Sequence, residues 1–281
     1  MLLLFSVTSC TSKMAYNNLD WIAAWYVDDY VTLTDTQEKE FGSAIKSFVS
    51  WHRKSELQNY ILQIKYIKVD VKSGIKHSNI NNYTDSLRQF LDVALTQFEP
   101  EIVKFAYSLS EQQVDEFLAE VEQRNIDRIK KVSGEDKEER LDNKFERMES
   151  RVESFIGELN AEQKQLLKET NQALLPTFEY WIEFRRTWAE SIRHAYTVRN
   201  DIINTEGLDS ERAKVAFREA LKLSILETNS LRSETHLAVL AHNQAIWATT
   251  IEKLVTSLSK KQLTALNEKL NETIEDLEAL I

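Results

Sequence analysis

Four pentapeptides with one shared pattern constrain this chain more than any other feature. They read LTDTQ at residues 33–37, LSEQQ at 109–113, LNAEQ at 159–163 and LSKKQ at 258–262. This is the pattern of a capping box, in which a polar cap residue and a Gln three positions later bind each other's backbone amides at a helix start. The sequence therefore predicts four capped helix starts, with these pairs: Thr34 and Gln37, Ser110 and Gln113, Asn160 and Gln163, and Ser259 and Gln262.

The segments between these starts are also typical of helices. Apolar residues recur at spacings of three and four, and no segment alternates as a strand would. Only 5 Gly and 2 Pro occur in 281 residues, which leaves few residues for tight turns. We therefore predict an all-α fold over residues 17–281, an extended bundle of about nine to eleven helices with no sheet. If the bundle has two lobes, their boundary is expected near residues 200–209, beside the loop predicted at 204–207.

Three local patterns give sharper expectations. Residues 19–27 are apolar nearly all round, and a helix of that kind is expected to be buried. Gly74 together with residues 79–82 is predicted to end one helix. Pro100 is predicted to break or restart the next one, because proline lacks the amide hydrogen of a helical residue.

The N-terminus resembles the signal of a bacterial lipoprotein. Residues 7–10 read VTSC, they follow an apolar run, and Cys10 is the only cysteine of the chain. In such a signal the Cys thiol receives a diacylglycerol, so we expect lipid at Cys10 and a tether over residues 10–16. Residues 1–9 are short for a signal peptide and contain no Lys or Arg, which indicates a truncated signal. The alternative is a cytoplasmic chain with a frayed apolar N-terminus and a buried Cys10.

Charge and motifs exclude several classes of function. The chain carries 35 Lys and Arg against 45 Asp and Glu, so its net charge of −10 opposes binding to nucleic acid. It has no HExxH motif, no Gly-rich phosphate loop and no pair among its 5 His residues at i,i+4 spacing. We therefore expect no enzymatic activity, no cofactor and no metal, and a protein partner rather than a nucleic acid.

Candidate binding surfaces combine aromatic and basic side chains, which can hold anionic or peptide ligands. They are Trp51, His52 and Arg53 in one segment, and Trp181, Arg185, Arg186 and Trp188 in another. The alternative places the Trp and His side chains at helix contacts and pairs Arg53 with a carboxylate. A basic stripe at residues 140–151 is either a salt-bridged helix face or a groove for acidic polymer.

Longer motifs resemble a known family. The segments YNNLDWIAAWYVDDYVTLTDTQ at 16–37 and SWHRKSELQNY at 50–60, with WIEFRRTW at 181–188, are similar to uncharacterised lipoproteins of Gram-negative bacteria, a domain of unknown function. This resemblance implies a lipid anchor and a helical fold but no activity. The pentapeptides also resemble the LTxxQ motif of Spy-type periplasmic chaperones.

Location and motifs together give the expected function. We expect a membrane-anchored periplasmic lipoprotein that binds unfolded polypeptides or an envelope protein partner. The alternative is a structural lipoprotein that contacts peptidoglycan or an envelope assembly. Because Thr11 rather than Asp follows Cys10, we expect the periplasmic face of the outer membrane rather than the inner membrane.

Overall fold

Every regular element that the structure describes is a helix. The computed structural model describes the backbone of residues 9–281 and the side chains of residues 13–136 and 138–281, so residues 1–8 and the Cys10 side chain lie outside it. Within that range the chain forms twelve α-helices, one 3-10 helix and no strand, which confirms the all-α class. One of the twelve α-helices, Ser9–Asn17, precedes the predicted bundle, and the other eleven agree with the predicted count of about nine to eleven.

The helices follow one another with mostly short connections, as the low Gly and Pro content predicts. The first six are α1 (Ser9–Asn17), α2 (Leu19–Asp28), α3 (Asp35–Ser55), α4 (Leu57–Ser73), α5 (His77–Tyr107) and α6 (Glu111–Ser133). The other six are α7 (Lys137–Ile156), α8 (Ala161–Ala173), α9 (Phe178–Glu206), α10 (Glu211–Ile225), α11 (Glu234–Thr256) and α12 (Lys260–Glu278). The 3-10 helix, Thr228–Leu231, lies between α10 and α11.

Two larger core clusters hold these helices together. The first packs α5, α6, α9 and α10 around Leu109, Val114, Leu118, Ile192, Ala195, Tyr196, Phe217 and Leu221. The second packs α7, α8 and α11 around Met148, Ile156, Leu159, Leu167 and Leu254. Each large apolar side chain buried in this way stabilises the fold by about 1.5–3 kcal/mol.

The chain turns near the predicted lobe boundary, but the turn does not separate two cores. Helix α9 ends at Glu206, and Gly207 allows the reversal into α10 through its φ of 84°. The two helices then pack side by side, with ring centroids of Tyr196 and Phe217 5.0 Å apart. The turn at residues 207–210 therefore joins two helices of one core cluster, and the loop predicted at 204–207 is helical as far as Glu206. A division of the chain into two lobes stays a prediction.

The predicted tether is helical where the structure describes it. Residues 10–16 belong to α1, which packs against α12. Lys13 Nζ lies 3.4 Å from Asp276 Oδ1. The predicted tether is thus a helix that packs on α12, and its lipidation stays a prediction.

Helix α2 is the largest departure from the predictions. It was expected to be buried, yet none of its residues is buried, and Trp21, Trp25 and Tyr26 are 68%, 59% and 55% exposed. The reason is that α2 packs mainly on one neighbour, α3. An apolar run predicts burial only if partners cover every side of the helix.

Helix α4 ends at Ser73, before Gly74, as predicted, but helix α5 corrects the predicted ends at residues 79–82 and at Pro100. Residues 79–82 lie inside this helix, which begins at His77 and contains Pro100 without a break. Aromatic contacts hold the helix on both sides of Pro100, since Phe98 packs on Phe48 and Phe105 packs on Phe41, each at 4.8 Å between ring centroids. These contacts offset the hydrogen bond that proline cannot make.

Candidate functional site

All four pentapeptides form capping boxes at the starts of α3, α6, α8 and α12. At the first box, Gln37 N donates to Thr34 Oγ1 at 3.3 Å, and Thr34 N donates to Gln37 Oε1 at 3.0 Å. The same exchange occurs at the other three boxes. Two amides that would lack a partner at each helix start are thereby satisfied.

The boxes of α3 and α6 meet in space. Gln37 Nε2 donates to Gln113 Oε1 at 3.1 Å, and Gln113 Nε2 donates to Gln37 Oε1 at 2.7 Å. Each amide also binds the loop before its partner's helix, Gln37 Nε2 through Ser108 O and Gln113 Nε2 through Thr32 O. Both Gln side chains therefore use their donors and acceptors inside the protein, and we call this arrangement the first glutamine pair.

The boxes of α8 and α12 form a second glutamine pair of the same kind. Gln163 Nε2 and Gln262 Nε2 each donate to the other's Oε1, at 3.2 and 2.8 Å. Gln262 Nε2 also binds Glu158 O, and Gln163 Nε2 binds the Ser257 hydroxyl. Both side chains are buried, so these boxes brace helix starts and present no free group to a ligand.

His52 lies in a chain of hydrogen bonds between two tyrosines. Its Nδ1 is 2.7 Å from Tyr16 Oη and its Nε2 is 2.9 Å from Tyr60 Oη. Burial lowers the pKa of His52 and raises the pKa of Tyr60 to about 12, so all of these rings are neutral near pH 7. The chain ties α1, α3 and α4 together.

The neighbours of His52 do not form a shared ligand pocket. Trp51 packs on Phe48 at 5.6 Å between ring centroids. Arg53 was expected to pair with a carboxylate, but its Nη2 donates to Asn17 Oδ1 at 2.6 Å and its guanidinium lies 5.1 Å from the Tyr16 ring centroid. The reason is that α1 brings its own polar groups to this side of α3.

The side chains of the second aromatic and basic segment each make a different contact within the protein. Arg185 donates to Asn125 Oδ1 at 2.6 Å and lies 5.0 Å from the Trp181 ring centroid. Arg186 pairs with Glu122 at 2.9 Å. Trp188 packs against the first core cluster and donates to Ser224 O at 2.9 Å. These four side chains join α9 to α6 and to the end of α10 rather than converge on one cavity.

The basic side chains of α7 make separate contacts and do not form one binding surface. Arg140 donates to Val132 O at 3.1 Å. Burial lowers the pKa of the half-buried Lys144, and the nearby charge of Arg147 adds to this effect. The carboxylate of Glu149 on the same helix binds Lys164 of α8.

Two open grooves flank α5, and sequence reasoning identified neither. The α4–α5 groove has a volume of about 280 Å³ and is lined by Gln63, Tyr66, Val69, Asn82 and Tyr83 among others. Tyr66 and Val69 are each 63% exposed. With Leu62 they follow the spacing of four and three that places residues on one helix face, which is the signal that could have found the groove.

The other groove, the α5–α10 groove, combines an apolar floor with three cations. It has a volume of about 330 Å³, and its cations are Lys104, Lys214 and Arg218. Each cation has a carboxylate partner: Lys104 is 3.9 Å from Glu40, Lys214 is 2.7 Å from Glu211, and Arg218 binds Glu99 at 2.7 Å. Its charge is therefore largely neutralised.

The described residues show neither a metal site nor a membrane span, and one family model matches the chain. Among those residues no group of three or more His, Cys, Asp or Glu side chains is placed to hold a metal. None of the helices described has the length and hydropathy needed to span a bilayer. The sequence model of a family of unknown function (DUF6279) matches residues 29–212. Neither a curated protein nor a solved structure matches the chain.

Proposed function

The chain belongs to a family of unknown function (DUF6279), and we propose that it is a lipid-anchored envelope protein that binds polypeptides without catalysis. The proposed anchor is Cys10, on the periplasmic face of the outer membrane. The VTSC motif at residues 7–10 supports this location. The observation that carries the binding role is the exposed apolar stripe beside the α4–α5 groove.

The groove offers the two kinds of contact that an unfolded polypeptide needs. Tyr66 and Val69 in the groove, and Leu62 beside it, supply exposed apolar surface. The side-chain amides of Gln63 and Asn82 make no hydrogen bond within the described residues, so they are available to a peptide backbone. Apolar and amide groups along one groove suit a chain in extended conformation, because they need no particular sequence.

The alternative role, contact with peptidoglycan or another anionic polymer, has one observation in its favour. The α5–α10 groove contains three cations. The carboxylates of Glu40, Glu99 and Glu211 already pair with them, and a polymer would have to displace these partners. An exposed ion pair is worth about 1 kcal/mol or less, so a polymer would gain little at Lys104 and Lys214. Arg218 is held more firmly, because both oxygens of the buried Glu99 carboxylate accept from it. We therefore favour the polypeptide role.

Aggregation of a chemically unfolded client tests this proposal. The protein at near-stoichiometric ratio should reduce light scattering without ATP, and the double variant Tyr66→Ser, Val69→Ser should lose most of this effect. Leu237→Ser, Leu240→Ser is the matched control, because it removes two exposed leucines from α11. Equal suppression by both variants would contradict the role of the α4–α5 groove.

The anchor needs its own test, since binding and anchoring are separable. The full gene product should incorporate labelled palmitate, and Cys10→Ala should not. Labelled protein should be recovered with outer-membrane vesicles. Equal labelling of the two forms would contradict the proposed anchor and leave the client assay unaffected.

A further inference from the structure

The first two helices carry the most exposed aromatic surface of the described chain. Trp21, Trp25 and Tyr26 project from α2 into solvent, and Met14 on α1 is exposed as well. Trp21 and Trp25 are four residues apart, so they lie on one side of the helix. We call Trp21, Trp25 and Tyr26 the α2 aromatic face.

This face is held in a fixed orientation. Lys46 of α3 pairs with Asp20 at 3.2 Å, and Arg53 of α3 binds Asn17, the last residue of α1. At the other end of α2, Tyr26 Oη lies 3.1 Å from Tyr30 Oη. These contacts, with the packing of α2 on α3, leave the Trp21 and Trp25 rings exposed to solvent.

The Trp side chains have the properties of residues at a membrane interface. Neither Trp21 nor Trp25 makes a side-chain hydrogen bond within the described residues, so each indole N–H is free to bind water or a headgroup. Trp and Tyr prefer the headgroup level of a bilayer, because their rings are apolar at one end and polar at the other.

The proposed lipid at Cys10 would hold the α2 aromatic face close to the membrane. Cys10 and Trp21 are 11 positions apart, a length of about 17 Å along helical chain. Lys13, three residues after Cys10, already contacts α12 through Asp276. Since no long linker separates the anchor from the folded body, the surface around α1 and α2 must lie close to the bilayer.

We propose that the α2 aromatic face lies in the headgroup region of the bilayer that anchors the protein, and thereby fixes the orientation of the folded body. This inference rests on the proposed anchor at Cys10. The occupant is a zwitterionic phospholipid surface rather than an anionic one. Asp28 and Asp29 stand at the C-terminal end of the helix that carries the Trp residues, and the whole chain carries a net charge of −10.

The test uses the full chain with Cys10→Ala, so that any binding comes from the protein surface and not from lipid. Vesicles of phosphatidylethanolamine and phosphatidylcholine are the probe. We expect partition that is insensitive to salt, and quenching of Trp fluorescence by brominated lipid. Further substitution Trp21→Gln, Trp25→Gln should lower the partition constant by about tenfold or more. The control Leu237→Ser, Leu240→Ser should not change it.

Several outcomes would overturn the inference. These are an absence of quenching in the Cys10→Ala chain, equal partition with and without the two Trp residues, or binding only to anionic vesicles at low salt. If the Trp variant keeps vesicle binding but loses suppression of client aggregation, the face binds polypeptides instead. Quenching needs no substitution at α2, so the test survives a Trp variant that fails to fold. Missing palmitate on the parent chain would refute the anchor on which the inference rests, whereas palmitate without quenching would refute the role of the α2 aromatic face alone.

Discussion

Gln37 and Gln113 exchange two side-chain hydrogen bonds, of 3.1 and 2.7 Å, although they lie 76 positions apart in the sequence. Each Gln also belongs to the capping box of its own helix. Gln163 and Gln262 repeat the arrangement beside the second core cluster. A residue that caps one helix therefore also fixes the distance to the start of another.

Replacement of one Gln of a glutamine pair should destabilise the protein, because the other Gln loses its hydrogen-bond partner. Gln163→Ala removes the cap bond and leaves the buried amide of Gln262 short of partners, at a cost of about 2–4 kcal/mol. Gln165→Ala is the control in the same helix, because its side chain is exposed and binds only Glu169. Urea unfolding measures both free energies, and equal losses would show that the pair contributes nothing beyond helix propensity.

The contributions of Gln163 and Gln262 to stability should depend on each other. A double-mutant cycle compares the free energy of unfolding lost in Gln163→Ala, in Gln262→Ala and in the double variant. The loss in the double variant should be smaller than the sum of the two single losses by at least about 1 kcal/mol. Additive losses would contradict the pairing.

Arg199 should tolerate no replacement by Lys. This buried side chain donates to Tyr107 O at 2.9 Å and Leu109 O at 2.8 Å, and its guanidinium lies 4.6 Å from the Tyr196 ring centroid. Lys has no planar fork, so Arg199→Lys should lower the free energy of unfolding by about 1.5–3 kcal/mol. Arg193→Lys on the same helix should change little, because Arg193 is exposed and pairs loosely with Asp115. Chemical unfolding of both variants measures the difference.

Stability should fall in mild acid, in part through His52. Burial holds the folded-state pKa of His52 below its ordinary value of 6.5. The unfolded chain therefore takes up the proton first, and stability decreases as the pH falls through about 6.5 and levels off below the folded-state pKa. Unfolding free energies at about pH 7.5 and about pH 5 should differ less for His52→Gln than for the parent. An equal difference would show that the Tyr16–His52–Tyr60 chain does not disfavour the charged ring.

Pro100→Ala should stabilise the protein. Since α5 continues through Pro100 without a break, Ala would restore an amide donor to the helix. The expected gain is about 1–3 kcal/mol, seen as a higher melting temperature by circular dichroism. Glu101→Ala, beside it on the surface, should have a much smaller effect. A lower melting temperature for Pro100→Ala would mean that the helix needs proline at this position.

The sequence predicts what depends on neighbours along the chain and not what depends on distant ones. The capping boxes involve residues three positions apart, so the pattern at residues 110–113 indicates the start of α6 directly. The partner of Gln113 is 76 positions away, and its free N–H groups could have bound any nearby carbonyl. The local pattern therefore could not predict the glutamine pairs.

The same limit explains the errors at α2 and at Pro100. An apolar run does not show how many neighbouring helices will cover it. Helix α2 packs mainly on one neighbour, α3. Likewise, the rule that proline ends a helix takes no account of the ring contacts made by Phe98 and Phe105. The α4–α5 groove depends on two helices at once, so neither helix alone revealed it.

The last helix completes packing that the early part of the chain requires. Ile274 and Leu277 of α12 cover Leu57 and Ile61 of α4, and Asp276 holds Lys13. During synthesis from the N-terminus, Leu57 and Ile61 therefore stay uncovered until α12 has been made. Any product that stops short of residue 274 presents an open apolar seam on α4.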